Sequence, residues 1–225
     1  MLHRCCLTAL LICGSLTLAS AATISLGQPG TLPAGFQFWH GNKADSAPWS
    51  VVRDSAADHG VALEYSATDK RGDAFIAFDP SARAADLKAR VQFRLIRGRL
   101  PSGGLVLRMT SPDDYDLIKV SAYEERLSVI HVINGQPNEI AGVDAEIAKD
   151  DWQTLEVDMR GSEFRISLDG RWVLTAFDRS AVREGHVGVW SENDNVTRFG
   201  GLQVTAHDDG QHADSGADQT RGERR

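Results

Sequence analysis

The sequence has little cysteine, and what it has is confined to one end. Three of 225 residues are cysteine, all within the first 13: Cys5, Cys6 and Cys13. Basic residues are outnumbered, with 24 Lys and Arg against 31 Asp and Glu and a formal net charge of -7. That balance excludes the broad basic face that nucleic-acid partners require. No apolar run reaches the roughly 20 residues that cross a bilayer, so no integral membrane span is expected. Phosphate-cradling glycine loops, His-Glu-x-x-His and EF-hand patterns are absent. Hydrophobics at 42% and charged residues at 24% are ordinary for a folded chain, and the length suits one domain with a real core.

The cysteines fall in a segment that reads as removable. Met1-Leu2-His3-Arg4 is a short cationic start, Cys5 to Leu18 is an apolar run, and Ala19-Ser20-Ala21 is a small-x-small cleavage pattern. This is the anatomy of a secretory signal peptide cut after Ala21. A lipid anchor on Cys13 would need a small residue where Ile12 stands. The expected location is periplasmic or secreted. Cleavage removes every cysteine, and with them disulfides, thiolate nucleophiles and cysteine zinc sites. The expected organisation is a signal peptide over 1–21, one domain over 22–206 and a disordered polar tail over 207–225. The tail lacks the apolar surface to repay its ordering entropy. Its His207, His212, Asp208, Asp209 and Asp214 read as solvated groups, because a flexible site must also organise its ligands. No metal and no cofactor are expected.

Between Phe36 and Ala206 short runs rich in Val, Ile, Leu and Phe recur, separated by turn residues. Several alternate with the period of two that marks a half-buried strand. Val91, Phe93 and Leu95 oppose Arg90, Gln92 and Arg94. Leu105, Leu107 and Met109 oppose Val106 and Arg108. Asn134-Gly135, Asp169-Gly170 and Arg160-Gly161 sit between apolar runs, and the first two suit a type I′ hairpin. No sustained 3.6-residue stripe is present, and the best helical candidate, Asp144–Lys149, is short. Many strands with turns every 8–12 residues predict an all-β, antiparallel two-sheet sandwich or jelly roll.

Three blocks carry a resemblance. They are Ser102-Gly103-Gly104-Leu105-Val106-Leu107-Arg108 with Asp114-Tyr115-Asp116-Leu117-Ile118-Lys119; Asp151-Trp152-Gln153-Thr154-Leu155-Glu156-Val157 leading to Leu168-Asp169-Gly170-Arg171; and Gly185-His186-Val187-Gly188-Val189-Trp190-Ser191 ending at Asn195-Val196-Thr197-Arg198-Phe199. Together they resemble the concanavalin A-like, laminin-G-like jelly rolls of bacterial exported proteins, and within them the branch associated with 3-keto-disaccharide hydrolases and lyases. The resemblance spans about Leu32 to Val204. It implies a jelly-roll sandwich with a saccharide partner met on the concave sheet face or its edge loops. Two departures stand out. Phe199 is followed by Gly200-Gly201 where the family often has two acids, and Asp116 replaces an aromatic.

The paired-carboxylate signature of jelly-roll glycosidases is incomplete. Glu192-Asn193-Asp194 is followed by Thr197 in place of a second Glu, and Glu156-Val157-Asp158 by Gly161. Glu156 and Asp158 read as the wet face of a strand that buries Leu155 and Val157. A saccharide site needs an aromatic plate and multi-donor polar groups. Arg94, Arg108, Tyr115, Lys119 and Trp190 have that chemistry and are the candidate binding residues. Parity places Tyr115 with Lys119, Trp190 with Glu192, and His131 with Leu127 and Val129. His131 and Glu192 are the candidate general acid and base for keto-sugar chemistry. Trp39, Trp49, Trp152 and Trp172 read as packing residues, and Asn195-Val196-Thr197 is a glycosylation sequon by letter. Three functions stand open: an exported saccharide-binding jelly roll, a 3-keto-glycoside hydrolase or lyase, and a non-catalytic protein-binding adhesion module.

Overall fold

A computed structural model describes residues 22–40, 43–44, 46, 48–68, 74–180 and 182–207. The segments expected to be a signal peptide, 1–21, and the tail beyond His207 lie outside the described residues. The described chain is almost wholly strand. In chain order the strands are β1 (Ala22–Thr23), β2 (Gln37–His40), β3 (Lys43–Ala44), β4 (Trp49–Arg53), β5 (Val61–Ser66), β6 (Ala74–Ala84), β7 (Leu87–Arg97) and β8 (Ser102–Ser111). There follow β9 (Asp114–Ser121), β10 (Arg126–Ile133), β11 (Gln136–Asp144), β12 (Gln153–Arg160), β13 (Glu163–Leu168), β14 (Arg171–Phe177), β15 (Gly185–Glu192) and β16 (Val196–Ala206). One short 3₁₀ turn, Asp58–Gly60, is the helical exception.

These strands form two eight-stranded antiparallel sheets. The first runs β14-β13-β12-β7-β16-β5-β4, with β1 also paired to β16. The second runs β11-β10-β9-β8-β15-β6-β2-β3. The larger hydrophobic cluster draws on both sheets and fills the space between them, with Trp49, Phe93, Leu105, Ile118, Val129, Phe164, Val189 and Phe199 among its members. A second cluster draws only on the second sheet: Ile76, Phe78, Val106, Met109, Tyr115, Leu117, Val132 and Trp190. It therefore covers that sheet's other face. Strands with apolar residues on both faces explain the near-continuous burial of β8, β9 and β15.

Turn chemistry explains the connections. Asn134-Gly135 (φ 50° and 73°) and Asp169-Gly170 (φ 49° and 73°) are left-handed at both positions, as a type I′ hairpin demands. The β12–β13 turn differs: Gly161 has φ 54° while Arg160 ends the strand, so its central residues are Gly161-Ser162, with glycine first as in a type II′ turn. Asp144–Lys149 is not a helix; Ile147 is buried and Lys149 bridges Leu95 in parallel. His207, assigned to the tail by sequence, closes the last strand, its N–H donating to Asp86 O (3.0 Å) and its Nε2 meeting Asp158 Oδ1 (2.9 Å).

Candidate functional site

The outer face of the second sheet gathers four of the sequence candidates. β9 presents Tyr115, Leu117 and Lys119 on that face, and β15 presents His186, Trp190 and Glu192. Lys119 Nζ lies 5.9 Å from the Trp190 ring centroid and 3.3 Å from Glu192 Oε1. A cation held over an indole and paired with a carboxylate is fixed in position by both. Ser102 Oγ donates to Glu192 Oε1 (2.9 Å), and Ser102 is itself held by Asn195 Nδ2 (3.1 Å to its Oγ) and Thr197 Oγ1 (3.1 Å to its carbonyl). Glu192 is therefore pinned by a network running through the end of the sandwich.

Glycines make this arrangement possible. Trp190 pairs with Gly104 across β15 and β8. A Cβ on Gly104 would lie 2.3 Å from Ile118 O and 3.0 Å from Leu117 Cδ1. Polar groups continue across the face, where Ser128, the register partner of Lys119, donates to Glu139 Oε2 (2.9 Å). Burial pushes the Tyr115 phenol up to about 12, partly offset by the nearby Trp190 indole. Trp190 Nε1 and His186 Nδ1 are both buried and unpartnered, which leaves two polar atoms unused on this face. Burial, helped by Arg83, lowers His186 and favours its neutral ring.

The other candidates lie elsewhere. Arg94 projects from the first sheet's outer face, where it pairs with Asp54 (3.4 Å) and Asp150 (3.0 Å). Strict alternation puts Arg108 outward with Val106; the structure turns it inward, 2% exposed. The cause is a bulge: Arg108 has φ 48°, and between His186↔Met109 and Gly188↔Val106 the pairing slips by one residue. Met109 is thereby moved to the outer face. Inside, the Arg108 guanidinium lies 5.5 Å from the Phe164 centroid, donates to Ala85 O (3.0 Å) and to Gly161 O, and approaches Asp86 (3.5 Å). Gly185 permits the bulge, since a Cβ there would lie 2.3 Å from the Arg108 carbonyl carbon.

His131 also faces the interior, as its parity with Leu127 and Val129 predicts. Its Nδ1 meets Asp116 Oδ1 at 2.5 Å and Asp178 Oδ2 at 3.3 Å. His131 and Glu192 thus occupy opposite faces of one sheet and do not meet a common substrate atom. Asp116 is the partner of this buried histidine.

Two further side chains belong to the outer face, His186 by its shared parity with Trp190 and Trp39 without such a signal. Trp39, read from sequence as packing, lies half-buried there with its ring 4.7 Å from Phe78, and His186 lies 5.1 Å from the same ring. Trp172, also read as packing, is 70% exposed on β14. Trp49 is in the core. Asn195 is fully buried, so the folded sequon offers no acceptor. Gly200-Gly201 forms a bulge on β16 whose Gly201 (φ 56°) leaves room for Asp58; a Cβ there would lie 2.4 Å from its carboxylate. A cavity of about 580 Å³ adjoins that bulge, lined by Thr23–Pro29, Arg53 and Asp58–Val61, away from the second sheet.

Searches for a matching family model and for a similar curated protein find none. Solved structures do match. The carbohydrate-binding module CBM66 from Bacillus subtilis superposes with a TM-score of 0.59 at 19% identity, over 76% of this chain and 96% of that one. The fold is a jelly-roll β-sandwich of the galectin and concanavalin A type. A Bacillus subtilis protein of unknown function with a galectin-like fold gives 0.55 at 9% identity, over 76% and 89%. The exoplasmic domain of VIP36, solved with Ca²⁺ and Man3GlcNAc, gives 0.50 at 13% identity, over 79% and 86%. At these identities the likeness establishes architecture, and function must be argued from the site. No helix among the described residues is long and apolar enough to cross a membrane.

Proposed function

We propose that this protein binds a saccharide on the outer face of its second sheet. The observation that carries this reading is the joined set Trp190–Lys119–Glu192–Ser102, an aromatic floor under a fixed cation and carboxylate. A sugar offers hydroxyls to paired charged groups and C–H faces to aromatic rings, and this face has both. Tyr115 and Trp190, each 5% exposed, lie beneath the surface and support it, while Lys119, Glu192, Trp39 and His186 are the partly exposed groups within reach of a ligand, Trp39 supplying the accessible ring. The carbohydrate module and the Man3GlcNAc-bound domain sharing the architecture are consistent with this class of ligand. The export expected from the N-terminal segment would bring the protein to an extracytoplasmic glycan.

Turnover of 3-keto-glycosides, implied by the sequence resemblance, would have to rest on Glu192, Lys119 and Tyr115, without His131. Glycan-array binding and a 3-keto-glucoside turnover assay on the same preparation separate the two. Binding without turnover is expected. Turnover abolished by Glu192→Gln would establish the enzyme instead, and neither binding nor turnover would overturn both.

A further inference from the structure

One cluster outside this face remains without a role. Asp116 on β9, His131 on β10 and Asp178, directly after β14, converge in the sandwich interior, with ligand atoms all within 4.8 Å of one another. Two belong to the second sheet and one follows the first. Adjacent donors around a tetrahedral zinc ion, with bonds of about 2.0–2.1 Å, stand about 3.3 Å apart. His131 Nδ1 and Asp178 Oδ2 already have that spacing, at 3.3 Å, while Asp116 Oδ1, 2.5 Å from the same nitrogen, would draw back by under 1 Å to ligate. The second observation concerns Asp116. It is 1% exposed, yet its Oδ2 has no hydrogen-bond partner. A buried carboxylate oxygen left unpaired is costly, and within this cluster a cation would satisfy it. The third ligand is already oriented. Asp178 Oδ1 accepts from Ser180 N–H (2.8 Å) and Oδ2 from Ser180 Oγ (2.5 Å), the kind of outer hydrogen bonding that aims a metal ligand.

The donor set selects the ion. Two carboxylates and one imidazole suit zinc or manganese, whereas calcium seeks six to eight oxygens. The surrounding charge allows a cation. Three carboxylates, those of Asp86, Asp116 and Asp178, stand against the guanidiniums of Arg108 and Arg183, an excess of acidic groups that a bound cation would offset. We infer that Asp116, His131 and Asp178 form a zinc site that ties the two layers of a sandwich whose described residues contain no cysteine. Binding forms bonds from the ion to His131 Nδ1 and to one oxygen of each carboxylate, and the neutral imidazole then carries its single proton on Nε2.

The test uses the full chain, stripped with chelator and titrated with ZnCl₂, MnCl₂ or CaCl₂ at pH 7.5. One zinc per chain is expected by calorimetry, with Tm raised by about 5–10 °C at a hundredfold excess over Kd. Asp178→Asn, still folded by circular dichroism, is expected to lose both effects. Should that variant not fold, Co²⁺ added to the wild-type chain provides the check, with visible tetrahedral bands expected. Zinc that neither binds nor shifts Tm, uptake that survives Asp178→Asn, or Co²⁺ without those bands would each overturn the assignment.

Discussion

Replacing Arg108 with methionine tests the bulge that reverses this residue's direction. Methionine keeps an unbranched stem over Phe164 and removes the charge and its donors. The lost interactions are the bonds to Ala85 O and Gly161 O and the 3.5 Å approach to Asp86. Hydrogen bonds from a charged donor contribute roughly 1.5–3 kcal/mol each. At 2% exposure Arg108 has almost no solvent to take over those roles. The Asp86 pair is long and its carboxylate 26% exposed, so it adds less than about 1 kcal/mol. Against these losses stands the desolvation of the guanidinium, which lowers its pKa and is relieved by the substitution. The balance is a destabilisation of about 2–4 kcal/mol, or roughly 5–15 °C in Tm for a domain of this size. Urea unfolding followed by tryptophan fluorescence measures it, and an Arg108→Met, Asp86→Asn cycle should return a coupling below about 1 kcal/mol. A change under about 0.5 kcal/mol for Arg108→Met would refute the inward placement, because that is the cost of trimming a solvated arginine.

Other outcomes follow from the same geometry. Gly104→Ala drives a methyl into Ile118 O and Leu117, so it should cost about 1–3 kcal/mol and weaken glycan binding through the displaced Trp190 partner strand. Unchanged stability by thermal melt would contradict the close approach. In alkaline titration at 295 nm a phenol component near 12 should vanish in Tyr115→Phe. Because the folded pKa is raised above the ordinary value of 10.0, Tyr115 favours folding fully below pH 10, and that contribution falls away between about pH 10 and 12. The acid limb of wild-type stability should flatten in Asp54→Asn. Burial raises Asp54, but Arg198 and the Ala56 N–H outweigh it and hold the carboxyl below 3.8, so its contribution is present above that value and is lost as pH falls through the folded pKa.

Much of the fold was legible because alternation is a local property. β7, β12 and β13 bury alternate residues on one side, and the I′ turns announce themselves as Asn-Gly and Asp-Gly. β11 carries no such signal, because Gln136–Asp144 is a polar edge strand with little apolar pattern, held by backbone pairing to β10. The site was legible where parity is unbroken, as for Tyr115 with Lys119 and Trp190 with Glu192. It failed at Arg108, where one extra residue in β8 inverts the facing and no letter in the sequence marks the slip. It failed again for His131 as a partner of Glu192, because shared chemistry does not say which face of a sheet a strand turns outward. Trp39 and Trp172 were both read as packing, and only their neighbours in space separate an indole on the second sheet from one standing in solvent on β14.

The most direct test of the account is the affinity of the best array glycan for Lys119→Ala compared with Trp172→Gln. Both side chains lie on sheet surfaces, one on the proposed face and one on the opposite sheet. Lys119→Ala should weaken binding at least tenfold, about 1.4 kcal/mol, and Trp172→Gln should leave it within twofold. Binding that survives Lys119→Ala and collapses in Trp172→Gln would move the site to the other sheet and contradict the account.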